Sequence, residues 1–222
     1  MSNVCPPSAC DSCSAMRGEL ERLGLKVSKW DYVVALAGNP NTGKSTLFNR
    51  LTGNWPGKTI ARSEGGFGYG GSRYKIVDLP GTYSLRSASP DETVAREFLL
   101  FGKPDLTVVV ADATSIERNL NLTLQILQVT DRVVLALNLM DEARAHGILV
   151  DARRLAADLG IPVVPCAARS GEGIPELLAE MDGVVKNRIQ TRPYRLKLDV
   201  PGVASAMDRL VEKLVRRFPD LP

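Results

Sequence analysis

The sequence predicts an α/β fold, a mainly parallel central sheet with helices on both faces and a short helical appendage at its C-terminus. Three observations carry this expectation. Short β-branched runs recur through the middle of the chain, helical segments alternate with them, and a glycine-rich turn joins the first strand to the first helix. Continuous apolar runs bounded by Gly, Pro, Asn or Asp suit strands that are covered on both faces.

Residues 1–30 read as an appendage, with a short amphipathic helix around AMRGELERLGL. Strand VVALA (33–37) follows and runs into the helix GKSTLFNRL. EGGFGYGG (64–71) reads as an antiparallel edge strand loosened by its glycines, beside the strand YKIVD (74–78). SPDETVAREFLL opens its helix with a capping serine, a first-turn proline and early acids. The strands LTVVVAD (106–112), RVVLALN (132–138) and PVVPC (162–166) alternate with the helices SIERNLNLTLQILQV and DARRLAADLG. In the tail, Val203, Met207, Leu210, Val211, Leu214 and Phe218 fall at helical spacing. That apolar face is expected to pack against the sheet domain or against a partner, and the abrupt FPDLP ending reads as a cut within a longer chain.

Composition excludes several classes. At 222 residues, with 44% hydrophobic and 24% charged, the chain matches ordinary globular proteins. A net charge of +3 is too small to argue for nucleic-acid or membrane binding on electrostatics. No apolar run approaches the ~18–20 residues of a membrane span, and no secretion signal opens the chain, so it reads as soluble and cytosolic. Cys5, Cys10 and Cys13 crowd a Pro- and Ser-rich leader with one CxxC. The single histidine, His146, is remote, and a disordered or locally folded leader is favoured over an iron or zinc site. Cys166 ends an apolar run and reads as core.

GNPNTGKS (38–45) matches GxxxxGK[ST] between a strand and a helix, the context this phosphate-binding motif requires. Gly38, Asn39, Asn41, Thr42, Gly43, Lys44, Ser45 and Thr46 are therefore nucleotide-binding candidates. The glycines let backbone N–H groups converge on phosphate oxygens at a helix N-terminus. Lys44 then reaches the outer phosphates and Ser45 ligates Mg²⁺. In DLPGTYSL (78–85), Asp78 faces the same metal through a water and the Gly81 N–H meets the γ-phosphate. A further Mg²⁺ ligand is expected from GNWPGKTIARSE (53–64), which also holds Gly57 and Lys58; Thr59 is preferred and Ser63 is the alternative.

NLMD (138–141) selects the base. A carboxylate at Asp141 accepts hydrogen bonds from the guanine ring N–H and amino group, whereas adenine presents the wrong polarity. Asn138 is expected beside it, with Leu139 covering the purine. CAARSGEG (166–173) resembles the SA[KR] loop that closes over guanine, so Ala167, Ala168 and Arg169 join the site, with the Ala168 N–H serving the base oxygen. Ala167 stands where a serine is usual, and the missing hydroxyl is expected to speed GDP release. Together these elements predict a Ras-like phosphate-loop GTPase that converts GTP to GDP and phosphate. Where many such enzymes carry a glutamine to aim the attacking water, this chain has Thr82 and Tyr83.

GNPNTGKSTLFNRLTG, NWPGKT, DLPGTYSL, SPDETVAREFLL, NLMDEA and PVVPCAARSGEGIPEL, in this order over residues 32–180, resemble the GTPase domain of the FeoB family of bacterial ferrous-iron transporters. The resemblance implies catalysis without the glutamine, by Asn41, Lys44, Thr59 and Gly81. Asn41 would help hold a K⁺ ion whose shell is completed by backbone around Gly53–Trp55. It also implies a GTPase domain (31–183) and the start of a helical, GDI-like domain (184–222), which leaves residues 1–30 as a Cys-containing extension. A membrane transport domain would follow in the same chain, placing this part at the cytoplasmic face of the bacterial inner membrane. Small accessory proteins of the iron-uptake system and a homo-oligomer are admitted as partners, and nucleic acid is not. The cysteine-rich leader departs from the common family pattern. Two rivals are a soluble ribosome- or tRNA-associated K⁺-dependent GTPase, which would carry a basic appendage and DTPG, and a nucleotide-binding metal sensor that uses the cysteines.

Overall fold

The computed structural model describes residues 30–53, 58–59, 62–86, 89–195 and 202–217. The chain runs through β1 (Tyr32–Gly38), α1 (Lys44–Thr52), β2 (Lys58–Thr59), β3 (Arg62–Tyr69), β4 (Ser72–Asp78), α2 (Pro90–Phe101) and β5 (Leu106–Asp112). It continues through α3 (Ile116–Leu127), β6 (Val133–Asn138), α4 (Met140–Ala145), α5 (Ala152–Leu159), β7 (Val163–Pro165), α6 (Ile174–Val185) and α7 (Val203–Arg217). The leader with Cys5, Cys10 and Cys13, and the helix expected there, lie outside the described residues.

One seven-stranded sheet has the order β2-β3-β4-β1-β5-β6-β7. From β4 to β7 all neighbours are parallel, while β3 is antiparallel to β4 and carries β2 on its outer side. The strand expected at the edge is therefore second from it. Successive residues of β1 point to opposite faces, and both faces are covered. Val33 and Ala35 join Phe98, Leu122 and Leu159 on one side, while Val34 and Leu36 join Leu47, Leu177 and Met181 on the other. This two-sided burial is why the strands read as unbroken apolar runs.

Element ends differ from the expectation where side chains cap them. Asp112 accepts from the Thr114 N–H at 2.7 Å, which holds residues 113–115 in a 3₁₀ turn and delays α3 to Ile116. Ser89 caps α2 as expected: its Oγ accepts from the Glu92 N–H at 3.3 Å and donates to Glu92 Oε2 at 2.9 Å. Strand β7 is shorter than PVVPC. Helix α6 runs through position 183, and Val184 and Val185 beyond it are buried in the core.

A charge cluster centred on buried Asp182 ties α6 to the start of β4. The Tyr74 hydroxyl donates to Asp182, whose carboxylate also pairs with Arg188 and, at 2.7 Å, with Lys186. Phe67 stacks on Tyr74 at 5.1 Å. On α7 the apolar face is open rather than packed on the sheet domain: Met207, Leu210, Val211 and Leu214 are 42–60% exposed. Among the described residues no helix is long and apolar enough to cross a membrane.

Candidate nucleotide-binding site

The site grows from the C-terminal ends of the parallel strands, where an open sheet leaves a crevice. β1 delivers Gly38, whose Cα faces Val110 of β5 so closely that a Cβ would lie 2.6 Å from the Val110 carbonyl oxygen. Beyond it, Asn41 (φ 66°) and Gly43 (φ 77°) are left-handed on either side of Thr42. Such alternation turns successive N–H groups towards one point. Thr42 is buried and its hydroxyl donates to the Asn39 carbonyl at 3.0 Å. Helix α1 then starts without a side-chain cap, so its first N–H groups face a cleft of about 420 Å³ bordered by Asn39–Asn41, Gly43–Thr46 and Gly81.

Lys44 and Asp78 meet beneath that cleft in a largely buried ion pair. Burial pushes the Asp78 carboxyl above its usual range, and the neighbouring Lys44 ammonium opposes the shift. Ser63 is the cross-strand partner of Asp78. The chain after β4 continues along β1: the Leu79 N–H donates to the Leu36 carbonyl at 2.9 Å and the Thr82 N–H to that of Gly38 at 3.2 Å. Gly81 is pressed on Pro40, with a Cβ there only 3.2 Å from its Cα. Both residues at the glutamine position have packing partners. Thr82 is buried, and the Arg118 guanidinium lies 4.4 Å from the Tyr83 ring centre. Gln125 of α3 holds the rest of the segment, accepting from the Leu85 N–H at 2.7 Å and the Ser84 hydroxyl at 3.1 Å.

Beside this cleft, β6 and β7 supply two further loops. Asn138 is buried, with Nδ2 donating to the Thr42 carbonyl at 2.9 Å and Oδ1 accepting from the Ala168 N–H at 2.9 Å. Asn138 gives both of its side-chain groups to the protein, because a buried amide must be satisfied, and the Ala168 N–H expected for the base oxygen is bonded to it. Leu139 (φ 61°) turns the chain into α4, an unexpected short helix that carries half-buried Asp141 in its first turn. The loop Cys166–Gly173 folds on itself through Ala167 N–H to the Glu172 carbonyl (3.0 Å) and Gly171 N–H to the Ala167 carbonyl (2.9 Å). Ser170 supplies a brace of the kind expected to be lost at Ala167, its hydroxyl donating to the Ala167 carbonyl at 3.1 Å. Arg169 is exposed at the loop surface.

Thr59 and Lys58 form β2, paired with Arg62 and Ser63; their side chains, and Gly57 with the segment 54–57, lie outside the described residues. Cys166 is fully buried, its thiol is pushed up to about 12 by burial, and it donates to the Val164 carbonyl at 3.3 Å. It is core, as expected. His146 ends α4. No group of three or more His, Cys, Asp or Glu is gathered for a metal among the described residues.

A glycine-rich loop between β1 and α1, an acidic strand end at Asp78 and two loops after β6 and β7 define the Ras-like, phosphate-loop GTPase class of α/β domain. Within that class, residues 32–181 match the family described as Ferrous iron transport protein B, and the chain belongs to that family. It is 43% identical over 159 residues to the Fe(2+) transporter FeoB of Escherichia coli K12, covering 67% of this chain and 21% of that protein. To the Fe(2+) transport protein A/Fe(2+) transporter FeoB fusion protein of Porphyromonas gingivalis it is 41% identical over 189 residues, 82% of this chain and 22% of the relative. The chain thus spans about a fifth of the length of these relatives. Among solved structures, the FeoB G-domain from Methanococcus jannaschii is 48% identical with a TM-score of 0.66, covering 70% of this chain and 97% of that one. The cytosolic domain of T. maritima FeoB in its GMPPNP form is 41% identical with a TM-score of 0.70, covering 83% and 74%.

Proposed function

We propose that this chain is the GTP-binding and GTP-hydrolysing regulatory part of a ferrous-iron membrane transporter, dependent on Mg²⁺ and stimulated by K⁺. The observation that carries the reading is the cleft at the N-terminus of α1, bordered by Lys44 and Gly81, with Asp78 paired to Lys44. Solved relatives described as GDP and GMPPNP forms support the choice of nucleotide.

Backbone N–H groups from Asn41 to Thr46 bind phosphate oxygens, helped by the helix dipole. Lys44 exchanges Asp78 for the outer phosphates, which leaves the carboxylate free to act. Asp141 accepts from guanine, while Asn138, Ala167, Ala168 and Arg169 hold the loop that closes on the base. The Ser45 hydroxyl and the Asp78 carboxylate form a donor set suited to a hard divalent cation, with Thr59 as the further ligand. Mg²⁺ held by these residues would supply positive charge against that developing on the phosphates. Asn41 offers a neutral amide at the cleft rim, the donor a K⁺ ion takes, and K⁺ would supply the positive charge that an arginine finger gives elsewhere. With Thr82 buried and Tyr83 engaged by Arg118, orientation of the attacking water falls to backbone groups, those of segment 53–64 among them.

In this reading residues 31–183 are the GTPase domain, 1–30 an extension, and 184–222 the beginning of a helical domain that relays the switch to a membrane transport domain at the cytoplasmic face. The greater coverage of this chain by cytosolic-domain structures than by G-domain structures supports that division. The test is a calorimetric titration with GDP and with ADP in Mg²⁺. Saturable GDP binding with no ADP binding is expected; equal affinity, or none for either, refutes the guanine reading.

A further inference from the structure

Resting on the guanine-nucleotide reading above, we propose that the ion pair between Arg144 and Glu172 is a latch on the guanine-closing loop and sets the rate at which GDP leaves. The loop Cys166–Gly173 is clasped from outside at two points. Arg144 of α4 forks onto Glu172, with Nη1–Oε1 at 2.7 Å and Nη2–Oε2 at 2.6 Å. From the other flank, Arg50 of α1 donates Nη2 to the Ser170 carbonyl at 3.0 Å. It occupies the space left open by Gly171, where a Cβ would lie 2.2 Å from that nitrogen.

The latch has a short path to the nucleotide. Glu172 accepts through its carbonyl from the Ala167 N–H. The next residue, Ala168, is bonded to Asn138, and Asn138 is bonded to Thr42 in the phosphate loop. Movement of Glu172 away from α4 therefore loosens the base side first and the phosphate side after it. The Arg144 and Glu172 side chains are 53% and 45% exposed, so their pairing adds little to folding. Its forked geometry nonetheless fixes the loop against α4, the helix that carries Asp141. Hydrogen bonding from Arg144 holds the Glu172 carboxyl below its usual range, so the pair stays charged near neutral pH.

Release of a fluorescent GDP analogue, chased with excess GDP, tests the proposal in the 222-residue chain. Arg144→Gln and Glu172→Gln should each speed release about two- to five-fold, the range for exposed pairs. Association rate and the melting temperature without nucleotide should not change. The reversed pair, Arg144→Glu with Glu172→Arg, should restore slow release, a rescue that a general packing role would not give. Wild-type release rates in both single variants, or a reversed pair as fast as the singles, overturn the latch. Failure of the wild-type chain to bind the analogue would instead overturn the guanine reading on which it rests.

Discussion

Asn138 Nδ2 donates to the Thr42 carbonyl at 2.9 Å, joining two halves of the site that lie 96 residues apart in the chain. With Oδ1 on the Ala168 N–H, one buried amide ties the loop after β1 to the loop Cys166–Gly173. Asn138→Ala strands a buried carbonyl and a buried N–H, at about 1–3 kcal/mol each. Urea unfolding should show a loss of about 2–6 kcal/mol on the same scale, together with weakened GDP binding. Gly43→Ala puts a Cβ 2.3 Å from the same Nδ2 at φ 77° and should act in the same direction with Asn138 intact.

Asp141 is half-buried in the first turn of α4. Asp141→Asn should lower GDP affinity by roughly 10²-fold or more, since the amide presents a donor to the guanine donors. Unfolding of the nucleotide-free chain should move by no more than about 0.5 kcal/mol. Calorimetry and urea melts on one preparation separate the two effects.

Acid stability should depend on Asp182. Burial pushes its carboxyl up, but hydrogen bonds from Lys186 and Tyr74 and the charges of Lys186 and Arg188 outweigh it, and the value stays below the usual range. A folded value below the unfolded one means that the carboxylate's contribution is complete above about pH 4. It is lost as pH falls through the folded value. Asp182→Asn should cost about 1–3 kcal/mol at pH 7, and the gap to wild type should narrow in acid. Urea midpoints measured across pH check this; a gap that widens in acid contradicts it.

Cys166 should be inert in the native chain, because burial pushes its thiol up to about 12 and leaves almost no thiolate at pH 8. Peptide mapping after iodoacetamide should find Cys166 unmodified, and alkylated once urea is present. Native labelling at the rate of a free thiol would contradict its place in the core.

Contiguous features were legible in the sequence. GNPNTGKS sits between a strand and a helix within a few residues, and the Ser89 cap with Pro90 and Glu92 is a local pattern. The strands were legible because both faces are buried and the runs are unbroken. What escaped depends on sheet order. Arg144 and Glu172 are 28 residues apart and Arg50 and Ser170 are 120 apart; only the parallel neighbours β1, β5, β6 and β7 bring them together. Asn138 stood out within NLMD, but its two hydrogen bonds to Thr42 and Ala168 did not, since neither partner is local. Helix α4 begins at left-handed Leu139 and has no side-chain cap to announce it.

Phosphate release from GTP by this chain, in Mg²⁺ with either K⁺ or Na⁺, is the most direct test of catalysis without a glutamine. Turnover several-fold faster in K⁺, with the difference abolished by Asn41→Ala, is the expected result. Equal rates in the two salts, or no hydrolysis in either, would contradict it.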